Sequence, residues 1–332
     1  MNKIALSSPE ERAELMRETA ERIQLSPSAV EKDFWVVWVL SRLFTSDLLA
    51  NKILFKGGTS LSKVFGLIRR FSEDIDLILN WNEVVTEDPN ADRSKTKQDQ
   101  FNKKVPELSR QYIAEIFLPE VKRLMGDVCS ADIEEDAPDV INIKYPFGFD
   151  SGYLRPEIRL EIGPLALWIP NAQYNVRSYV AETFPDQFEN PFCTVHAIKA
   201  ERTFWEKATI LHAEAFRPET KALPARYSRH YYDLVMMAAD PAVKKAAFSD
   251  LDLLRTVVQF KTKFYPAPWA HYELSLPPTM KLLPPDRNLK ALANDYQQMQ
   301  VMFFGDIPGF ADLIDSLRDL EKEINELKDV RT

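Results

Sequence analysis

Cysteine is scarce in this 332-residue chain, which contains only Cys129 and Cys193. The two lie far apart and form no C-x-x-C pattern, which excludes a disulfide framework, a zinc ribbon and a redox dithiol. The four histidines form no H-E-x-x-H motif, and their apolar and aromatic neighbours are typical of structural histidines. We therefore expect no metal chemistry based on histidine.

Long apolar runs are also missing. The longest, residues 34–40, has seven residues, whereas a membrane span needs about 20. The first residues do not combine a basic head with an apolar stretch, so they do not resemble a secretory signal. We expect a cytoplasmic protein that makes no contact with a membrane.

A basic excess is absent too, since 42 Lys and Arg residues stand against 50 Asp and Glu residues, giving a net charge of −8. This charge argues against non-specific binding of duplex nucleic acid, so any such contact must be local. Hydrophobic residues make up 45% of the chain, which is typical of a globular protein. The length allows one large core or two smaller domains.

Two halves of different character are predicted. In residues 1–190, Ser28 and Glu31 are spaced as a capping box at the start of one helix, and another helix is predicted at 101–128. Strands are predicted at 52–56, 74–79, 130–134, 140–145 and 157–162. Residues 191–332 show helical patterns at 196–216, 227–239, 249–263, 289–303 and 310–328, interrupted by the proline-rich stretch 265–285. The sequence therefore predicts an α/β (α+β) fold, with a mixed sheet followed by a helical half.

A glycine pair follows the first predicted strand, in the run Lys56-Gly57-Gly58-Thr59-Ser60. Two glycines allow the backbone to approach a phosphate closely, and the amides of a following helix start point toward an anion. Many such turns simply connect two elements, and the glycines alone do not separate the two interpretations.

Three carboxylates occupy predicted strands. Asp74 and Asp76 are two residues apart, so both project from one face of their strand, and Glu161 lies on another strand flanked by apolar residues. Close carboxylates on largely buried strands repel each other and need a counter-ion. Oxygen ligands of this kind suit Mg²⁺ or Mn²⁺, and the set is typical of phosphoryl or nucleotidyl transfer.

Together, residues 57–61 and 70–76 resemble the motif of polymerase-β-like nucleotidyltransferases, specifically the AbiEii/AbiGii toxin family of type IV toxin–antitoxin and abortive-infection systems. The similarity covers residues 25–305, and further agreement is found at 31–33, 205–207, 229–234 and 295–299. Two departures are a longer spacing from Gly58 to Asp74 and the presence of His230 where the family often has Asp.

The resemblance implies a nucleotidyltransferase fold in residues 1–190 and a helical domain in 191–332 that completes the active-site cleft. The implied site residues are Asp74, Asp76 and Glu161 as metal ligands, Gly57, Gly58, Thr59, Ser60, Arg70 and Ser72 at the nucleotide, and Lys207 and Asp233 from the helical half, with Lys207 also at the nucleotide. Two structural alternatives stay open. Lys207 can be a surface lysine paired with a neighbouring acid, and Arg229 and Asp233 can form an ordinary intrahelical pair.

The expected activity is transfer of a nucleoside monophosphate from an NTP to an acceptor hydroxyl, with release of pyrophosphate. The resemblance implies an RNA acceptor, the 3′ end of tRNA, a role in phage defence, and a cognate antitoxin encoded nearby. One alternative is a nucleotidyltransferase that modifies small molecules such as aminoglycosides, which the acidic charge suits equally well. The other is a catalytically silent nucleotide-sensing module.

Overall fold

The computed structural model describes residues 1–72, 74–149, 155–164 and 166–328. By internal contacts the chain divides into a first unit, Met1–Val64 with Phe71–Ile198, and a second unit, Phe65–Arg70 with Lys199–Thr332. The short segment Phe65–Arg70 thus belongs to a different unit from the residues on both sides of it. The sequence did not predict that a segment of the first half belongs to the second unit.

A seven-stranded mixed sheet forms the centre of the first unit. Its strands are β1 Ile53–Lys56, β2 Asp74–Leu79, β3 Ser130–Glu134, β4 Ala137–Lys144, β5 Glu157–Gly163, β6 Asn171–Val176 and β7 Cys193–Ile198. Their order is β3-β4-β5-β2-β1-β7-β6, with parallel pairing of β2 with β5 and of β1 with β7. The five predicted strands and the mixed sheet are confirmed.

Strands β6 and β7 were not predicted. Residues 191–332 were expected to be helical from His196 onwards, but His196 lies in β7 and the helix begins only at Ala200. β6 is a polar edge strand that pairs with β7 alone, so it lacks the apolar run by which a buried strand is recognised. β7 directly precedes a helix, and its short apolar pattern merges with the helical one.

Seven helices accompany the sheet in the described part of the first unit. They are α1 Asn2–Ala5, α2 Pro9–Ile23, α3 Pro27–Leu43, α4 Gly57–Lys63, α5 Lys95–Tyr112, α6 Leu118–Met125 and α7 Tyr179–Thr183. The helix expected at 101–128 starts earlier, at Lys95, and a π-helical turn at Ile113–Phe117 joins α5 to α6. Pro106 lies within α5 and does not end it.

Helix α3 supplies much of the core through Phe34, Trp35 and Leu40, none of which is exposed. A capping box of Ser28 and Glu31 was expected at its start, but the helix begins at Pro27 and the hydroxyl of Ser26 accepts the N–H of Ala29. The carboxylate of Glu31 instead accepts a hydrogen bond from the N–H of Gly148, 2.8 Å away.

Helices dominate the described part of the second unit. They are α8 Ala200–Ala215, α9 Ser228–Ala239, α10 Pro241–Phe248, α11 Leu251–Phe264, α12 Asp286–Gln298 and α13 Phe310–Asn325. The five predicted helical segments are confirmed, with changed ends, and α10 was missed. The proline-rich stretch 265–285 contains two short 3₁₀ turns, Pro268–Ala270 and Tyr272–Leu274. Among the described residues, no helix combines the length and apolar character needed to cross a membrane.

Backbone contacts attach the segment Phe65–Arg70 to the second unit. The N–H of Arg69 donates to the hydroxyl of Tyr232, and the carbonyl of Arg69 accepts the N–H of Phe304, both at 3.0 Å. Arg70 forms an antiparallel bridge with Phe303. These bonds place the Arg70 side chain among the residues of α8 and α9.

Candidate active site

The three predicted carboxylates lie on one face of two neighbouring strands. Strand β2 pairs in parallel with β5 so that Asp76 is directly opposite Glu161 and Asp74 is opposite Arg159. Because side chains alternate along a strand, Asp74 and Asp76 share one face while Ile75 is buried on the other. The structure therefore brings Asp76 and Glu161 into cross-strand contact range.

The carboxylate face is open to solvent. The side chains of Asp74 and Glu161 are 23% and 41% exposed, so a charged ligand can reach them. We expected a largely buried strand with inward carboxylates, and only the opposite face fits that description. The structure corrects this expectation, because the buried side chains of β2 next to the two aspartates lie on the opposite face of the strand.

A guanidinium group stands among these acids. Arg159 approaches Asp74 at 3.7 Å, Glu161 at 3.2 Å and Glu134 at 3.0 Å. Burial disfavours its charged form, but the three carboxylates outweigh that effect and raise the pKa of Arg159. Arg159 was not singled out from the sequence, although its place two residues before Glu161 predicts the same strand face.

The donor set suits a divalent cation by its chemistry, since Asp74, Asp76 and Glu161 offer the oxygen ligands that Mg²⁺ and Mn²⁺ prefer. In the described residues no three Asp, Glu, His or Cys side chains are gathered closely enough to hold an ion. Arg159 instead compensates part of the negative charge. By the chemistry of their oxygen ligands, the three carboxylates fit such an ion.

The glycine turn lies directly beside Asp76. Lys56 pairs with Asp76 across β1 and β2, and Gly57 follows with φ +79°, a left-handed conformation that favours glycine. A Cβ atom on Gly57 would lie 1.8 Å from Oδ2 of Asp76. Gly57 therefore provides both the turn and the space for this carboxylate.

The hydroxyl groups after this turn have partners within the chain. Thr59 Oγ1 donates to the carbonyl of Asp74 at 2.5 Å, and Ser60 Oγ donates to the carbonyl of Gly57 at 2.9 Å. Both residues are buried, as is Gly58. Thr59 thus connects the turn to the start of β2, and Ser60 closes the turn on itself. The backbone amides are then the groups suited to phosphate.

The residues just before β2 have different surroundings. Ser72 is partly buried, and its carbonyl lies 3.5 Å from Thr59 Oγ1. Glu73, part of the motif at 70–76, lies outside the described residues. Arg70 was expected beside Ser72 at the nucleotide, but its guanidinium is directed to Asp233 on α9.

A buried charged cluster occupies the second unit. Arg70 forms a two-pronged contact with Asp233, with distances of 2.7 Å from Nε to Oδ1 and 2.8 Å from Nη2 to Oδ2. Lys207 Nζ on α8 lies 2.9 Å from Oδ2 of Asp233 and 3.0 Å from Nδ1 of His230. One carboxylate therefore holds two cations, and Lys207 reaches a histidine as well.

The charge states in this cluster follow from burial and from neighbouring charges. Burial alone would raise the pKa of Asp233, but Arg70 and Lys207 outweigh it and hold the pKa well below its usual value. Burial lowers the pKa of Lys207, and Asp233 opposes that shift. Burial and the charges of Lys207 and Arg229 lower the pKa of His230, so its neutral Nδ1 accepts the Lys207 hydrogen bond.

The two structural alternatives fare differently. Lys207 does pair with an acid, Asp233, but it is only 8% exposed and is not a surface lysine. Asp233 contacts Arg70 and Lys207 and forms no ion pair with Arg229. Sequence reasoning noted His230 only as a departure from the family pattern. The Arg70–Asp233 pair was missed, because nothing local connects residues 163 positions apart.

The chain matches one family model and is distantly similar to several solved structures. The model for "Nucleotidyl transferase AbiEii toxin, Type IV TA system" matches residues 38–318. The chain is similar to the MenT4 nucleotidyltransferase toxin of Mycobacterium tuberculosis H37Rv, with 14% identity and a TM-score of 0.43 over 87% of this chain and 98% of that one. A candidate nucleotidyltransferase from H. pylori has 14% identity and a TM-score of 0.44, over 92% and 100%. No curated protein sequence matches.

Proposed function

Because the chain belongs to the AbiEii nucleotidyl transferase toxin family of type IV toxin–antitoxin systems, we propose that it transfers a nucleoside monophosphate from an NTP to the 3′ end of an RNA, with tRNA as the expected acceptor. The observation that carries this proposal is the pairing of Asp76 with Glu161 beside Asp74, on an open face bordered by the Gly57 turn. The acceptor oxygen bonds to the α-phosphorus while the bond to pyrophosphate breaks.

Asp74, Asp76 and Glu161 would hold Mg²⁺ or Mn²⁺. When held by these residues, such an ion would supply positive charge that favours deprotonation of the acceptor hydroxyl and balances the charge of the phosphates. The amides at Gly57 and Gly58 are suited to receive a phosphate, since they lie in the first turn of α4. In the metal-free protein, the Arg159 guanidinium contacts both Asp74 and Glu161 and reduces the repulsion between the two carboxylates.

Lys207 would contribute positive charge from the helical unit. Asp233 counteracts the effect of burial on its ammonium group, and Arg70 and Asp233 orient each other through two parallel bonds. A cation held in this way stabilises the charge that develops on phosphate oxygens during transfer. Arg70 and Asp233 act through Lys207 as positioning residues.

A transfer assay with each of the four radiolabelled NTPs and total tRNA tests the proposal. We expect label at RNA 3′ ends with the wild-type protein, and none with Asp76→Asn or in excess EDTA. Asp76→Asn should keep or increase stability without metal, because it removes a like charge next to Glu161. Full activity in Asp76→Asn would refute the role of the carboxylates. Label on aminoglycosides and not on RNA would indicate a small-molecule enzyme.

A growth experiment tests the toxin role. We expect expression to arrest growth unless the cognate antitoxin is co-expressed, because an added nucleotide removes the 3′ hydroxyl that aminoacylation requires. Asp76→Asn should abolish the arrest, whereas Gly163→Ala, at a position with open space for a methyl group, should retain it. Arrest by both variants would mean that toxicity does not come from nucleotide transfer.

A further inference from the structure

A series of contacts between cations and aromatic rings connects Lys207 to Lys221 within the second unit. We call it the cation–aromatic track; its members are Lys207, His230, Tyr227, Arg217, Trp269 and Lys221. The His230 and Tyr227 ring centroids are 4.7 Å apart. The Arg217 guanidinium lies 5.9 Å from the Tyr227 ring and 5.3 Å from the Trp269 ring, and Lys221 Nζ lies 4.8 Å from the Trp269 ring.

Positive charge near the outer end of this track is available to a ligand. Lys221, Arg226 and Arg229 form no ion pair with any other residue in the described ranges, and Lys221 and Arg226 are exposed. Residues 214–230 hold four Arg or Lys against two Glu, although the whole chain carries −8. An unpaired local basic surface on an acidic protein is the pattern expected where a polyanion binds.

Hydrogen bonds and an ion pair fix the backbone and side chains that carry these cations and rings. Asp295 on α12 accepts the N–H of Arg226 at 2.6 Å and the N–H of Ser228 at 2.9 Å. These bonds fix the turn before α9, in which Arg226 has a φ of 59°. Glu214 pairs with Arg217, whose guanidinium lies near both rings. The rings and the unpaired cations are therefore presented from a supported segment.

We propose that the cation–aromatic track binds the single-stranded end of the acceptor RNA. The inference rests on the proposed function and adds where the acceptor lies. Phosphates attract Lys and Arg, and exposed bases stack on aromatic rings, so the combination of the two favours single-stranded nucleic acid over an acidic protein. The track ends at Lys207, the residue assigned to the phosphates of the NTP.

Binding changes the partners of Trp269. In the free protein Lys221 rests against this ring, which is a weak cation–π contact at an exposed site. Lys221 has a flexible stem and can move to a phosphate, which frees the partly exposed ring for a base. Stacking on an aromatic ring contributes more than the lost contact.

The test measures RNA binding without turnover. A fluorescently labelled single-stranded RNA with a free 3′ hydroxyl is titrated with the full-length Asp76→Asn protein, and anisotropy gives Kd at several salt concentrations. Trp269→Ala, Trp269→Phe and Lys221→Glu are compared in this background. Lys322→Ala is the matched control, because Lys322 is an exposed lysine on α13 that also makes no ion pair within the described ranges. Thermal unfolding confirms that each variant folds.

We expect Trp269→Ala to weaken binding by roughly five- to 150-fold, Trp269→Phe to restore most of it, and Lys322→Ala to have no effect. Lys221→Glu should weaken binding and reduce the slope of log Kd against log salt by at least about 0.7. Unchanged Kd in the folded Trp269 and Lys221 variants would overturn the proposal. Equally tight, Trp269-independent binding of a polyglutamate peptide would assign the surface to an acidic protein.

The same data separate the two proposals. If the wild-type protein labels RNA but its Kd does not respond to the track variants, only the surface assignment fails. If RNA binds in a Trp269-dependent way but no NTP is ever transferred to it, the proposed function fails while the binding surface stands.

Discussion

A methyl group on Gly57 would lie 1.8 Å from Oδ2 and 2.9 Å from Cβ of Asp76, well inside van der Waals contact. Because Cβ of Asp76 belongs to a paired strand, rotation of the carboxylate alone cannot relieve the overlap. The glycine after β1 and the second aspartate of β2 therefore depend on each other. Their relationship explains why a glycine is needed here, in addition to its φ of +79°.

The first prediction concerns this contact. We expect Gly57→Ala to abolish nucleotide transfer. The left-handed backbone alone should lower the free energy of unfolding by about 1–2 kcal/mol, and the overlap with Asp76 should add to that loss, which denaturant unfolding measures. Gly66→Ala is the control for backbone strain, since Gly66 also has a positive φ but open space around it. Equal destabilisation in the two variants would mean that the overlap with Asp76 is relieved at no cost.

The second prediction concerns Arg159. Its guanidinium contacts Asp74 and Glu161, the ligands proposed for the metal ion. Removing this competitor in Arg159→Gln should lower the Mg²⁺ concentration for half-saturation by roughly tenfold, equivalent to about 1.4 kcal/mol, and should reduce stability without metal. Calorimetric titration with Mg²⁺ measures the first effect and thermal unfolding the second.

A matched arginine serves as the control for that experiment. Arg155 precedes the same strand and pairs only loosely with Glu157, at 3.8 Å, so Arg155→Gln should leave Mg²⁺ binding unchanged. Weaker Mg²⁺ binding in Arg159→Gln would show that the guanidinium supports the metal site and does not compete with it.

The third prediction concerns Lys207. Lys207→Ala should lower kcat/KM by an amount that corresponds to a loss of about 2–4 kcal/mol of transition-state stabilisation. Lys207→Arg should recover little of that activity, because the planar guanidinium places its charge differently. Asp233 remains paired with Arg70 in both variants, so the fold should persist. Lys245→Ala, an exposed lysine on α10, is the control. Wild-type kinetics in Lys207→Ala would exclude the proposed contact with phosphate.

The fourth prediction concerns pH and His212. Nδ1 of this histidine accepts the N–H of Lys281, and its Nε2–H donates to the carbonyl of His271, both at 3.0 Å. Burial lowers the pKa of His212 below its usual 6.5, so the unfolded chain binds the proton more readily. Stability due to this group is therefore complete above about pH 6.5 and decreases as the pH falls below it, by up to about 1.4 kcal/mol per pH unit.

Urea unfolding at pH 7.5 and pH 5.5 checks this dependence. His212→Asn should reduce the difference between the two pH values, and His230, whose pKa is also lowered, should account for a further part of it. An unchanged difference in His212→Asn would show that His212 is not one of the groups that destabilise the protein in acid.

Much of the candidate site was accessible from local sequence patterns. The spacing of Asp74 and Asp76 predicted a shared strand face, and the alternation in residues 157–162 predicted the strand that carries Glu161; both strands are present. The polar edge strand β6 was missed, because its stability comes from pairing with β7 and not from its own residues.

The sequence by itself determined the type of each residue, the period of its segment and therefore which carboxylates face the same way, because these properties act over a few neighbouring positions. Only the tertiary structure decided the register that sets Asp76 opposite Glu161. It also decided that Arg159 lies among acids from three strands and that Arg70 forms an ion pair with Asp233. Strand register and buried ion pairs depend on residues far apart in the chain, and their free energy exists only once distant segments have packed together.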